Sequence, residues 1–142
     1  MKIHIVFPVL LMITGCALAQ KVKENQVPAP VVTAFHKLMP EIKNYKWSNE
    51  DGKYEAEYKL GKNEQAALFD AGGNLIETEK EIPVNMLPPG IAEYVLKNYS
   101  GSEIKEAYEI TDARGLKKFE AEVKNAGLIF DADGKFLEEE KE

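Results

Sequence analysis

The chain is predicted to fold as an α+β domain built from two tandem units, each a helix followed by about four antiparallel strands. Two observations predict it. Residues 53–58 read KYEAEY and residues 118–123 read KFEAEV, while residues 69–73 read FDAGG and residues 130–134 read FDADG. Each copy is also preceded by a proline-led amphipathic stretch, starting at Pro28 and again at Pro88. An internal period of about 60 residues marks two copies of one supersecondary unit. Repeat one is placed at 27–82 and repeat two at 86–138 of a single domain, 27–142.

Residues 1–19 have the pattern of a signal peptide. Lys2 lies in a short n-region, residues 5–13 are apolar but too few to span a bilayer as a helix, and Ala17-Leu18-Ala19 is a small-x-small cleavage signal before Gln20. A second pattern overlaps it. Ile13-Thr14-Gly15-Cys16 reads as a lipobox, in which Cys16 would be lipidated. The expected location is therefore the periplasm or the exterior, or the envelope through a lipid on Cys16. Cys16 is the only cysteine, so cleavage after Ala19 would leave no disulfide, thiolate zinc site or cysteine nucleophile. Loss of Lys2 makes the net charge one unit more negative than −6. This acidic balance argues against nucleic acid and against anionic membrane surfaces as partners.

Residues 20–26 (QKVKENQ) are polar and read as an exposed lead-in. Pro28 and Pro30 open the first helix, where a missing N–H costs least. Val31, Ala34, Phe35, Leu38 and Met39 form one apolar stripe, and Pro40 stops the helix. Pro88 and Pro89 open the second helix, whose stripe is Ile91, Tyr94, Val95 and Tyr99, ending at Ser100-Gly101.

Strands follow each helix. Residues 44–48 and 104–110 form the first of each set. In the second, Tyr54, Ala56, Tyr58 and Leu60 alternate with Glu55, Glu57 and Lys59; Phe119, Ala121 and Val123 alternate with Glu120, Glu122 and Lys124. Strict alternation means one packed face and one wet face. Residues 66–69 and 128–130 form the third strands, and tight turns at 70–74 and 131–135 use Gly73 and Gly134 for positive φ. Residues 75–78 and 136–138 end the units; residues 82–87 join them, and residues 138–142 read as a frayed, solvated tail.

These residues together resemble a family. The V-P-A-P helix start, the KYEAEY strand, the FDAxG hairpin and their repetition are similar to those of the PepSY-like, beta-lactamase-inhibitor-like family of small exported bacterial proteins. The resemblance spans residues 27–137 and implies a continuous curved antiparallel sheet with both helices on one face. Beta-lactamase inhibitor protein, similar in architecture, binds enzymes on the open concave side of such a sheet, an analogy at the level of fold. The PepSY name implies modulation of peptidases. No catalytic residues carry over, and the two copies differ: Trp47 stands where the second has Ala107.

Little in the chain points to catalysis. His36, the one histidine beyond the leader, lies beside the first helical stripe with no second histidine or cysteine in its neighbourhood of sequence, and reads as structural. Ser48, Ser100 and Ser102 lack a nucleophile elbow. Asp131-Ala132-Asp133-Gly134 resembles the start of a calcium loop, but the later ligands are out of place, so a hairpin turn is expected. No metal site or cofactor is expected.

The expected contact surface is the wet row of Glu55, Glu57, Lys59, Glu120, Glu122 and Lys124. Trp47 has two readings: under the first helix with Tyr45, or on the open sheet face as a binding anchor. The function read from these residues is a monomeric, non-enzymatic module that binds a protein or peptide of the envelope. A small-ligand or calcium carrier using the same glutamates is the first alternative, and a hydrolase with paired carboxylates is the second.

Overall fold

The structure is a computed structural model and describes residues 19–141. The leader through residue 18, including the lipobox at Cys16, lies outside the described residues, as does Glu142.

The strands are β1 (Gln20–Val22), β2 (Tyr45–Glu50), β3 (Lys53–Leu60), β4 (Asn63–Phe69), β5 (Leu75–Ile82), β6 (Glu106–Asp112), β7 (Lys117–Val123), β8 (Ala126–Asp131) and β9 (Phe136–Lys141). They form one antiparallel sheet in sequence order. Helix α1 (Ala29–Leu38) links β1 to β2, and α2 (Ile91–Asn98) links β5 to β6. The architecture is α+β, and each unit contributes a helix and four strands as the repeat predicts.

The repeat reaches further back than expected. Residues 20–26 are mostly exposed, yet β1 pairs with β2 through Lys21↔Ser48 and Val22↔Trp47, and Glu24–Gln26 forms a 3₁₀ turn. A second 3₁₀ turn, Val84–Met86, stands between β5 and α2 in the same relation. A strand and then a 3₁₀ turn therefore precede the helix in both units.

Pro28 caps α1, whose buried residues are Val31 and Phe35. Leu38, placed in the stripe by sequence, is exposed in the last turn. Helix α2 begins later than its prolines suggest. Gly90 takes φ 95°, outside the helical region, so the first helical residue is Ile91. Its buried residues are Ile91 and Val95.

Strand register places both helices on one face. The pairs Ala56↔Ala67, Ala67↔Thr78, Thr78↔Thr111, Ala107↔Ala121 and Ala121↔Leu128 keep the apolar sets of both units on the same side. Two cores form there. Phe35 of α1 packs over Trp47, Ala56, Tyr58 and Phe69, while Ile91 and Val95 of α2 pack over Ala121, Leu128 and Phe130. The alanines let the helices come close to the sheet. Phe35 is the hub of the first core, with its ring centroid 4.8 Å from Tyr45, 5.4 Å from Trp47 and 5.7 Å from Tyr58. Burying such a side chain stabilises the fold by roughly 2–3 kcal/mol.

Residues 138–141 are no frayed tail. They belong to β9, which pairs along β8 through Ile129↔Glu138 and Gly127↔Glu140. Phe136 stacks on Tyr94 of α2 at 4.8 Å, tying the strand to the second core. Three consecutive glutamates suggested solvation, but alternation sends them to opposite faces of an edge strand, where charge is tolerated.

Candidate functional site

The open face, opposite the helices, is built by the second set of alternating positions. On β3, Glu55 and Glu57 point there; across the ladder Glu55↔Leu68↔Glu77 and Glu57↔Ala66↔Glu79 form two rows. The second unit repeats them as Glu120↔Ile129↔Glu138 and Glu122↔Gly127↔Glu140. Each unit thus surrounds a small apolar centre with four carboxyl groups. Glycine has a reason at position 127: a Cβ there would meet the Glu120 carboxylate oxygen at 2.0 Å, so that carboxylate lies across the β8 backbone.

Between the two plaques, β6 presents Tyr108 and Ile110 through Glu81↔Tyr108 and Glu79↔Ile110. Tyr108 donates its hydroxyl hydrogen to Glu106 at 2.7 Å, and burial with this bond raises its pKa. Ile110 and Ile129 face this side and are nonetheless only 7% and 4% exposed. A hollow of about 1030 Å³ lies on the face, lined by Glu55, Glu57, Glu79, Tyr108, Glu120 and Glu122 among others.

The acids here are not the freely solvated row that alternation suggests. Glu55 is half-buried; burial first, then the neighbouring charges of Glu57, Glu50 and Glu77, pushes its pKa up to about 7. Glu79 goes to about 8, chiefly by burial and then by Glu55, Glu120, Glu77 and Glu140. Glu140 is raised as well, again by burial before Glu138, Glu77 and Glu50, with Lys118 opposing. These are the desolvation and like-charge effects expected of clustered carboxyls.

The expected site residues divide. Glu55, Glu57, Glu120 and Glu122 share the open face. Lys59 joins them at the rim, where it pairs with Glu64 at 2.9 Å. Two assignments are corrected. Lys124 lies past the end of β7 in the turn to β8, so it does not continue the row. Trp47 is 4% exposed and packed against Phe35, so it anchors the core and not a partner. An apolar ring gains more under the helix than on a face otherwise lined with carboxylates.

Sequence reasoning missed Glu77, Glu79, Glu138 and Glu140. The signal was present as Glu77, Glu79 and Glu81 at every second residue, and in the alternation Glu138, Glu140. Charge outweighed period in placing those strand ends.

The other candidates are structural. Asp131 accepts hydrogen bonds from the backbone N–H of Asp133 and Lys135, as Asp70 does from Gly72 and Asn74, so both motifs are hairpin turns. Asp112 repeats the device with Arg114 and Leu116. His36 lies on the helix side, with Nε2 3.2 Å from the Tyr45 hydroxyl. That hydroxyl also donates to Glu24, and the bond raises the Tyr45 pKa to about 12. The three groups tie the first 3₁₀ turn to α1 and β2. Among the described residues, no three His, Cys, Asp or Glu side chains are placed to hold a metal ion, and no helix is long and apolar enough to cross a membrane.

A family model described as "Putative beta-lactamase-inhibitor-like, PepSY-like" matches the chain twice, over residues 16–77 and 52–138. No curated protein matches it. Solved structures do. A "putative periplasmic" protein from Bacteroides eggerthii superposes with a TM-score of 0.69 at 13% identity, covering 81% of this chain and 88% of the other. A DUF2874 family protein from Bacteroides ovatus gives 0.67 at 17% identity, over 81% and 87%. A BLIP-like protein from Bacteroides fragilis gives 0.60 at 24% identity, over 80% and 86%. At these identities the likeness is one of fold.

Proposed function

This chain belongs to the PepSY-like, beta-lactamase-inhibitor-like family, and on that premise we propose that it is a non-enzymatic module of the cell envelope that binds a protein or peptide on the open face of its sheet. One observation carries the reading. The two units have diverged in their cores, yet both set four glutamates around a small apolar centre on the face left free by the helices. A face that served only solubility would have no need of buried apolar positions or of half-buried acids.

The partner is basic. Acids outnumber Lys46, Lys59 and Lys118 on this face, and rim charges of one sign steer and select a partner of the other. The sheet is concave on this side. Burial of Ile110 and Ile129 on the open face supports that shape, as does the influence of Glu50 on β2 upon Glu140 on β9. The location is the periplasm or the exterior, by cleavage after Ala19, or a membrane through lipidation of Cys16; the periplasmic description of a structural neighbour supports the former compartment. Carboxyls that hold their protons could serve an acid catalyst, but no histidine or cysteine accompanies them on the face among the described residues.

Affinity capture tests the reading. Residues 20–142 are immobilised and exposed to envelope extract from the protein's source, beside the variant with Glu55, Glu57, Glu120 and Glu122 all changed to Gln. A partner held by the native chain and lost by the variant supports it. Equal capture by both places the contact elsewhere.

A further inference from the structure

Resting on the reading above for the charge of the partner, we propose that the partner joins the sheet as an added strand: an extended basic segment pairs antiparallel along the outer edge of β9, as β6 pairs along β5.

Strand β9 is a second copy of β5. Residues 75–81 read LIETEKE and residues 136–142 read FLEEEKE. The pairing repeats with the letters. β5 meets β4 through Leu68↔Glu77 and Phe69↔Leu75 with a bulge between them, and β9 meets β8 through Ile129↔Glu138 and Phe130↔Phe136 with the same bulge. The outer edges differ. That of β5 is taken by β6, from Glu77↔Asp112 to Ile82↔Ala107. That of β9 pairs with no strand among the described residues, and β9 ends the sheet. The fold therefore shows what such a strand receives on its far side.

Backbone direction identifies the open groups. The Ile76 carbonyl accepts a hydrogen bond from the Ala113 N–H, so Ile76 and, by alternation, Thr78 and Lys80 turn their backbone groups toward β6. Their counterparts on β9 are Leu137, Glu139 and Lys141. Outward N–H and C=O groups on an edge strand are a template for another strand. This template is held in place. Phe136 stacks on Tyr94, and Tyr99 donates its hydroxyl hydrogen to Glu139, so α2 fixes the edge before a partner arrives.

Charge selects the occupant. Side chains of an added strand that lie opposite Glu138 and Glu140 stand on the open face, while those opposite Glu139 stand on the helix face. Basic residues at every second position meet Glu138 and Glu140 and extend the acidic rows begun by Glu120 and Glu122. A second copy of this chain suits the edge poorly. Pairing β9 with its own copy about any of residues 138–140 sets that glutamate directly against itself, which destabilises a ladder. The same glutamates that deter self-pairing leave the backbone open to a strand of opposite charge.

The test is titration of acetyl-KTKVKT-amide into residues 20–142, beside two isomers carrying backbone N-methyl groups. With the lysines on the open face, the N–H groups of the threonines and valine point at β9 and those of the lysines point to solvent. Methylation at threonine and valine should weaken binding about tenfold or more, and methylation at the lysines should leave it within about twofold. With the unmethylated peptide at ten times its Kd, hydrogen exchange of the Leu137, Glu139 and Lys141 amides should slow by about tenfold. Glu139→Pro, checked for cooperative melting, removes one outward N–H and should bind about fivefold more weakly than Glu139→Gln. Equal effects of the two methylation patterns, or no saturable binding of the unmethylated peptide, would overturn strand addition and leave the open-face reading intact. That reading fails separately, and the basic partner with it, if the variant with Glu55, Glu57, Glu120 and Glu122 changed to Gln captures the envelope partner as the native chain does. Dimerisation of residues 20–142 that Glu139→Pro abolishes would overturn the choice of occupant in favour of a second copy.

Discussion

Gly73 lies so close to Pro30 that a Cβ at position 73 would stand 2.6 Å from the Pro30 carbonyl oxygen. The second unit repeats the contact, with Gly134 against the Pro89 carbonyl oxygen at 2.9 Å. The repeated FDAxG motif thus serves packing as well as turning: φ is 84° and 83° at the two glycines, and the start of the helix rests on the hairpin. Changing Gly73 to Ala should cost about 2–4 kcal/mol, from left-handed backbone plus the clash. Gly52 has φ 79° but open space around its missing Cβ, so Gly52→Ala should cost only about 1 kcal/mol. Urea unfolding of the two variants checks the difference.

The hairpin glycines, the two helices and most strands were legible in the sequence because each rests on local chemistry: Pro28 at a helix start, strict alternation in KYEAEY, glycine at positive φ. What was not legible depends on partners distant in the chain. Residues 20–22 become a strand only because Tyr45–Glu50 offers an edge. Residues 138–141 become one only because β8 and Tyr94 receive them. The candidate site was half legible. Glu55, Glu57, Glu120 and Glu122 follow from period two, but their burial depends on Glu77, Glu79, Glu138 and Glu140 lying on the neighbouring rails. Alternation groups Trp47 with Tyr45 and Asn49 against Lys46, Ser48 and Glu50, but which of the two faces the helix covers depends on pairing with β3, so pattern within β2 alone left Trp47 with two readings.

Stability should fall as pH rises from about 4.5 to 8. Glu55 and Glu79 have folded-state pKa values of about 7 and about 8, above the ordinary 4.5. Between those values the folded chain binds more protons than the unfolded one, so raising pH favours unfolding until both groups have ionised. Asp70 and Asp112, lowered by hydrogen bonds to Asn74 and to Arg114, act oppositely and lose their contribution only as pH falls through the acidic range. Glu79→Gln should therefore raise stability at pH 8 by on the order of 1 kcal/mol, after allowance for screening. It should change little at pH 5. Melting curves at the two pH values would show it; an equal effect at both would remove the assigned cause.

Tyr58→Phe should stabilise the free protein by about 1 kcal/mol, because it removes a buried hydroxyl that has no hydrogen-bond partner among the described residues. Tyr58 packs against Phe35 on the helix side of the sheet, so the same variant should bind a basic peptide on the open face as the native chain does. Urea unfolding checks the gain; a loss of stability would mean that the hydroxyl has a partner in solution.

Trp47 is the only tryptophan, so its fluorescence reports one site. Its burial against Phe35 predicts blue-shifted emission, poor quenching by iodide, and no change when a partner occupies the open face. Red-shifted, readily quenched emission would return Trp47 to the surface.

Phe136→Ala should cost about 2 kcal/mol, since it removes the ring stacked on Tyr94 and packed on Phe130. Leu137→Ala, at an exposed position on the same strand, should stay within about 0.5 kcal/mol. Equal, negligible effects in denaturant unfolding would mean that β9 does not hold the second core.

The claim that the acidic face of the sheet is the binding surface is tested most directly by mapping amide shifts of isotope-labelled residues 20–142 during titration with hexalysine. Shifts should concentrate along β3, β5, β7 and β9, at Glu55, Glu57, Glu77, Glu79, Glu120, Glu122, Glu138 and Glu140, with the outer surfaces of α1 and α2 unmoved. Shifts centred on the helices, or no saturable shifts at pH 8, would contradict it.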